Sequence, residues 1–365
     1  MNQRTVALLK LVRAGIYDDA AALEDFPRLS VDDWNHVYDE SKRQTVSGVA
    51  LHGLSLLPGD RMPHYPLLFR WVARGHRIES AHQTMCGIVT SLLARFSGAG
   101  LHPVLQKGPA VARFYPQPEL RVCGDIDLWF PANERRQADA LVTADGTPIH
   151  HGADSSSLYL SHGIEVEHHS TLVELHNPFF GRRLASLLRQ EGYTSATIAP
   201  DSKASVPAPL VELIMINVHI MKHCFGVGIG LRHFCDYAMA CKTLIPLIGA
   251  DRYMATCRSL GIARWTEVLH RFIPIYLPAP AGYTNPLAPT GTRHDATARR
   301  IFRMVMDGGN FGLFRHGRDR VATLPTWRRK LSTLSLFLSH SSTSMRLSPS
   351  EAFWTFARLL GGQVN

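Results

Sequence analysis

Apolar positions recur at threes and fours along the first part of the chain. Leu8, Leu9, Leu11 and Val12 open one amphipathic helix, and Ser47 to Leu57 predicts another, ended by Pro58-Gly59. A longer helix is predicted from about Pro66 to Phe96, where Ile78, Met85, Ile88, Val89, Leu92, Leu93 and Phe96 share one face and Ser97-Gly98-Ala99-Gly100 closes it. At Leu101 the period changes. His102 to Gln106 reads as a short extended stretch entering Lys107-Gly108, Pro109 to Tyr115 as a helix, and Cys123 to Phe130 as an alternating strand. Asn133 is the expected N-cap of a helix reaching Thr143, and Ser157 to Leu160, Ile164 to His168 and Leu172 to His176 read as three short strands before a stop at Asn177-Pro178. Past a strand near Ala196 to Ile198, helical spacing returns at Leu210 to Cys224, Leu231 to Leu244, Arg252 to Leu260 and Ala263 to Ile273. A Pro/Gly-rich stretch from Pro274 to Gly291 separates these from helices predicted at Ala296 to Met306, Trp327 to Leu338 and Ser350 to Leu360.

This pattern predicts an α+β (mixed α/β) fold in three regions: an N-terminal helical cap over 1–98, an α/β core over 99–205 and a C-terminal helical domain over 206–365. With 45% hydrophobic and 19% charged residues among 365, the chain has an ordinary globular composition, which excludes disorder, collagen and coiled coil. Lys and Arg exceed Asp and Glu by 39 to 30, a formal charge of +9 that favours anionic partners without choosing among nucleotides, nucleic acid and sugar phosphates. The six cysteines contain no C-x-x-C pair, so neither a zinc ribbon nor a disulfide framework is legible. Lys10 and Arg13 interrupt the N-terminus before signal-peptide length, and the apolar run from Leu210 to Met221 is broken by Glu212, Asn217 and His219. A cytoplasmic protein with no membrane partner is therefore expected.

The sharpest chemical feature is Gly124-Asp125-Ile126-Asp127. On a strand, carboxylates at i and i+2 leave the same face, and a divalent cation such as Mg²⁺ relieves their repulsion. Taken alone, a D-x-D is equally read as a solvated strand end or an Asx turn. It does not stand alone. Upstream, Val104 to Gly108 is a strand running into a glycine that opens a helix, an arrangement able to hold a phosphate. Downstream, Leu172-Val173-Glu174-Leu175-His176 carries an acid at the centre of a predicted strand, with Glu174 and His176 on one face, and a third metal carboxylate is the economical reading.

Lys107-Gly108-x-Ala110, Tyr115-Pro116, Arg121-x-x-Gly124-Asp125-Ile126-Asp127-Leu128 and Val173-Glu174-Leu175-His176 together resemble the bacterial nucleotidyltransferase-like family of the polymerase β superfamily. The resemblance runs from the helix before Gly98 to about Leu244, taking in His219, His223 and Leu231-Arg232-x-x-Cys235-Asp236, and more faintly Gly308-Gly309-Asn310-Phe311-Gly312. It implies a mixed sheet with flanking helices, an acidic catalytic triad, two Mg²⁺ ions (Mn²⁺ as a substitute) and transfer of a nucleoside monophosphate from an NTP such as ATP to an acceptor. In those roles Asp125 and Asp127 would bridge both metals and Glu174 would complete the one beside the attacking oxygen. Lys107, Gly108, Arg113, Arg121 and Gly124 would face the nucleotide. Pro109 departs from the Gly or Ser common in the superfamily and offers no backbone N–H to a phosphate.

The histidines admit two readings. His150, His151, His162, His168, His169 and His176 crowd one region, and His219 and His223 stand at the i, i+4 spacing of a zinc pair, but hydrogen-bonded histidines explain both patterns as well. His176 beside Glu174, and His223 with Arg232 and Asp236, are candidates for supporting or substrate contacts. Late basic residues at Arg315 to Arg320 and Arg328-Arg329-Lys330, with Phe314 and Trp327 nearby, would suit an RNA acceptor or a solvated helix face. The expected function is Mg²⁺-dependent nucleotidyl transfer to a hydroxyl or phosphate of a small molecule, sugar phosphate, peptide or protein. The alternatives are a toxin-like enzyme acting on tRNA or other RNA, a non-catalytic nucleotide-binding regulator on the same scaffold, and phosphoryl transfer by the same triad.

Overall fold

A computed structural model describes residues 1–131, 134–152, 156–225, 228–283, 285–287, 291–309 and 345–360. The expected Asn133 cap, the helix from Trp327 to Leu338, the basic residues from Arg315 to Lys330 and most of the Gly308 to Gly312 motif lie outside the described residues.

Four helices come first: α1 (Gln3–Tyr17), α2 (Val31–Arg43), α3 (Ser47–Ser55) and α4 (Tyr65–Gly98). Asn2 caps α1 through the Thr5 amide, and Ser30 with Asp33 forms a reciprocal capping box that starts α2. No expectation from the apolar spacing had placed α2. Glycines set how α1 and α3 meet. A Cβ on Gly15 would stand 2.0 Å from the Val49 carbonyl oxygen, and one on Gly53 would stand 1.9 Å from that of Leu11. The two backbones therefore touch.

The core sheet has the order β1-β2-β5-β4-β3, built from β1 (Val104–Leu105), β2 (Ile126–Trp129), β3 (His150–His151), β4 (Ser157–Ser161) and β5 (Ile164–His169). β2 and β5 run parallel in the centre and the other pairs are antiparallel, with the short α5 (Pro109–Ala112) after β1 and α6 (Glu134–Ala144) after β2. Ile126, Leu128 and Val166 bury one sheet face against Met85, Ile88, Val89 and Phe96 of α4. Asp127, Glu167 and His169 fall at the alternate positions and share the other face.

The predicted strand from Leu172 to His176 does not form. Both neighbours of the central pair are already taken by β1 and β4, and the amides of His176 and Asn177 donate instead to the carboxylate of Glu351. Asn177-Pro178 is also more than a stop. The Asn177 side chain accepts from the amides of Phe179 and Phe180, so it caps α7 (Pro178–Glu191), with Pro178 in the first turn where its missing N–H costs nothing. The hairpin of β6 (Tyr193–Ala199) and β7 (Ser202–Pro207) follows.

The helices α8 (Pro209–Phe225), α9 (Leu231–Ile248), α10 (Ala250–Ser259), α11 (Ala263–Tyr276) and α12 (Asp295–Gly308) form the next layer, and α13 (Pro349–Leu360) closes the described chain. Leu8, Leu11, Val37 and Trp71 from the first helices share one apolar cluster with Leu213, Phe234, Trp265 and Phe272 from these later ones. The result is a mixed α+β architecture in which the sheet carries one core and the early and late helices build another. Among the described residues no helix is long and apolar enough to cross a membrane.

Candidate active site and metal centre

Strand register creates the site. β2 and β5 are parallel with Asp127 paired to Glu167, which stacks the two carboxylates side by side, and His169 lies two residues further along the same face. His169 Nε2 stands 2.9 Å from Asp127 Oδ1 and 3.2 Å from Glu167 Oε2. Among the described residues, Asp127, Glu167 and His169 are the one set of His, Cys, Asp or Glu side chains whose ligand atoms all lie within 4.8 Å of one another. Asp127 is 0% exposed, and its Oδ2 has no hydrogen-bond partner among the described residues. A buried carboxylate oxygen left bare is costly, and a cation is the partner that would satisfy it.

The loop after β1 supplies the first positive charge. Lys107 Nζ donates to Asp127 Oδ1 at 3.0 Å. Gly108 holds φ +59°, and a Cβ there would sit 3.2 Å from the Asp125 carbonyl oxygen, so a left-handed turn and a close approach both demand glycine. Beyond Pro109, the amides of Ala110 and Val111 bond back to the carbonyls of Lys107 and Gly108. Those two donors are thus engaged in the loop's own turn.

Electrostatics divide the two aspartates. The Asp127 charge, with burial, raises the Asp125 carboxyl. Burial also pushes Asp127 up, but the Lys107 charge and the His169 hydrogen bond outweigh it and hold that carboxyl below its usual range. Burial lowers His169, yet its hydrogen bonds to Asp127 and Glu167 prevail and lift it to about 9. That face therefore sets two cationic groups, Lys107 and His169, against its carboxylates.

A cavity opens beside Asp125 between α5, α8 and α9, lined by Lys107, Gly108, Gly124, His219, Arg232 and His233, among others. Arg232 donates to the Val122 carbonyl at 2.6 Å, has no carboxylate within 4.0 Å among the described residues, and leaves its buried Nε unpaired. The rings of His219, His223 and His233 pack together at 4.4, 5.6 and 6.2 Å between centroids. Burial keeps all three imidazoles neutral. Their nitrogens do not converge as zinc ligands do, and of the three rings those of His219 and His233 line the cavity.

Other expected residues are held by partners of their own, Arg121 and Asp236 doing so within the cavity lining. Arg121 is clamped in a buried bidentate pair with Asp236, Nε to Oδ1 and Nη2 to Oδ2 each at 2.7 Å, and Tyr115 donates to the same carboxylate at 2.7 Å. Arg113 forks onto Glu212 of α8. Glu174 is 42% exposed and is held by Arg358 of α13, with Lys222 4.0 Å away. His176 Nδ1 meets the Thr355 hydroxyl at 2.7 Å, and burial lowers its imidazole to about 4. Lys107, Gly108, Arg121, Gly124, Asp125, Arg232 and Asp236 line one cavity, with Asp127 bonded to Lys107; Glu174 and His176 belong to a separate cluster on α13. His168 turns to the opposite sheet face, where it bonds Asp139 at 2.8 Å.

Glu167 and His169 were not singled out from the sequence. Their signal was present in Ile164-Glu165-Val166-Glu167-His168-His169, which repeats the i, i+2 polar pattern of Asp125-Ile126-Asp127 on a second strand. The similar pattern of Val173-Glu174-Leu175-His176 drew the reading away.

A family model described as uncharacterised nucleotidyltransferase matches residues 30–277, more than half of the chain. No curated protein matches the sequence. The chain belongs to that uncharacterised nucleotidyltransferase family.

Proposed function

Taking that membership as premise, we propose that the protein is a divalent-metal-dependent enzyme that transfers a nucleoside monophosphate from an NTP to a hydroxyl or phosphate on its acceptor. The observation that carries this reading is the buried, unpaired Asp127 Oδ2 set beside Glu167 on the next strand. Asp125, Asp127 and Glu167 are the carboxylates we assign to the metals, with Glu167 taking the role first expected of Glu174. These donors are hard oxygens, which fits Mg²⁺ or Mn²⁺. When bound, such ions supply Lewis acidity to the phosphates and lower the pKa of the attacking oxygen.

The chain's own groups do the rest. Lys107, which donates to Asp127 Oδ1 and lines the cavity, would offer its ammonium to the triphosphate. Arg232, with an unpaired Nε and no carboxylate within 4.0 Å among the described residues, lines the same cavity and would bind the departing phosphates. Arg121 acts at one remove: locked on Asp236 and bonded to the Gly108 carbonyl at 3.3 Å, it fixes the loop. In the reaction the acceptor oxygen loses its proton and bonds to the α-phosphorus, while the bond to the bridging oxygen breaks and pyrophosphate leaves.

The test is a thermal-shift titration with each NTP and Mg²⁺ or Mn²⁺, alongside the Asp125→Asn/Asp127→Asn double variant. The reading expects a metal-dependent rise with at least one NTP that the double variant lacks; at a ligand excess of about 100 Kd the stabilisation is about 2.7 kcal/mol. A folded protein that shifts with no NTP and either metal would overturn it. Labelled ATP then separates the chemistries, since nucleotidyl transfer leaves the α-phosphate on the acceptor and phosphoryl transfer leaves the γ.

A further inference from the structure

The centre proposed above contains a donor that carboxylate chemistry alone does not require. Asp127 and Glu167 both present oxygen, but the third member of the group, His169, presents an imidazole nitrogen. Its two separations, 2.9 Å to Asp127 Oδ1 and 3.2 Å to Glu167 Oε2, match the roughly 3 Å spacing of ligand atoms that share one ion at about 2.0–2.2 Å. The Oδ2 of fully buried Asp127, without a hydrogen-bond partner among the described residues, is an independent second acceptor that a cation would satisfy. His169 is itself held in place, since it ends the central strand β5 and pairs in register with Trp129 of β2. The sheet therefore sets the backbone position from which the ring reaches both carboxylates.

We propose that His169 is a direct metal ligand and sets the ion preference of the centre, favouring Mn²⁺ over Mg²⁺. The inference rests on the metal-centre reading above but goes beyond it. Mg²⁺ takes an almost purely oxygen shell, whereas imidazole suits first-row transition ions; Mn²⁺ accepts the nitrogen while keeping the hard oxygen partners that two carboxylates and a triphosphate provide. On loading, Nε2 exchanges its hydrogen bonds to the two carboxylates for a bond to the ion they share. Nothing is oxidised or reduced, and the proton from Nε2 passes to solvent.

The experiment is Mn²⁺ binding to the full-length protein, read by electron paramagnetic resonance and by calorimetry against Mg²⁺, with His169→Gln and Glu174→Gln in parallel. The proposal expects nitrogen hyperfine modulation on bound Mn²⁺, lost in His169→Gln and kept in Glu174→Gln. It also expects Mn²⁺ to bind the native protein at least about tenfold more tightly than Mg²⁺, a preference that His169→Gln narrows by about tenfold. Bound Mn²⁺ without nitrogen modulation would overturn the role of His169 and leave the carboxylate centre standing. No Mn²⁺ bound, with or without an NTP, would overturn both. The native spectrum decides by itself, so a variant that fails to fold does not shelter the proposal.

Discussion

At the scale of the residue, two carboxylates two positions apart have different fates because their neighbours differ. Asp127 is buried under Lys107 and His169, while Asp125 feels chiefly Asp127. His169 gives this a pH signature. Its folded pKa of about 9 lies above the ordinary 6.5, so it contributes stability that is complete below about pH 6.5 and is lost as pH rises through 9. In chelator, the stability difference between the native protein and His169→Gln should therefore shrink between pH 6.5 and 9, by at most about 3 kcal/mol, as read from urea midpoints. A gap that stays flat across that window would remove the proposed pairing. The choice between Glu167 and Glu174 is also made at this scale. Glu167→Gln should cut nucleotidyl transfer by about 100-fold or more, the scale of one lost preorganised electrostatic contact, and Glu174→Gln should leave turnover near the native rate. The Arg121–Asp236 pair predicts a different loss. Asp236→Asn leaves a buried guanidinium half-paired and should cost about 3–5 kcal/mol of stability in denaturant unfolding.

At the scale of the element, the periodicity of the chain located most helices and the strands at Ile126, Ser157 and Ile164, because burying one face imposes a repeat of 3.6 or 2 on the sequence. It failed where two segments carried the same repeat. Both Glu165 to His169 and Val173 to His176 alternate, but only the first finds an open strand edge; the second is pinned by Glu351. Asn177-Pro178 was similarly ambiguous, since the pair that ends an extended stretch is also well suited to start a helix. The crossing of α1 and α3 gives this scale its own prediction. Gly53→Ala would push a methyl into the Leu11 carbonyl, and the helices must part; a loss of about 1–3 kcal/mol is expected in thermal or urea unfolding. Gly98→Ala, where a Cβ meets nothing within 4 Å, is the control and should be nearly neutral.

At the scale of the whole molecule, the sheet owes its buried face to α4, which precedes it in the chain, and the early and late helices share a core. A fragment limited to residues 99–205 would expose Ile126, Leu128 and Val166 where Met85, Val89 and Phe96 now cover them. It should remain unfolded or aggregate, judged by proton–nitrogen NMR dispersion, and a well-dispersed spectrum would show that the sheet stands without α4. The sequence by itself determined the α+β class, the D-x-D pair, the Lys107-Gly108 turn and the family resemblance, because each is written in short local patterns or in a series of them along the chain. Only the tertiary structure decided which acid and which histidine join Asp127. That choice depends on strand partners about forty positions apart, and backbone pairing, which no local pattern records, brought Glu167 and His169 to Asp127 while leaving Glu174 with Arg358.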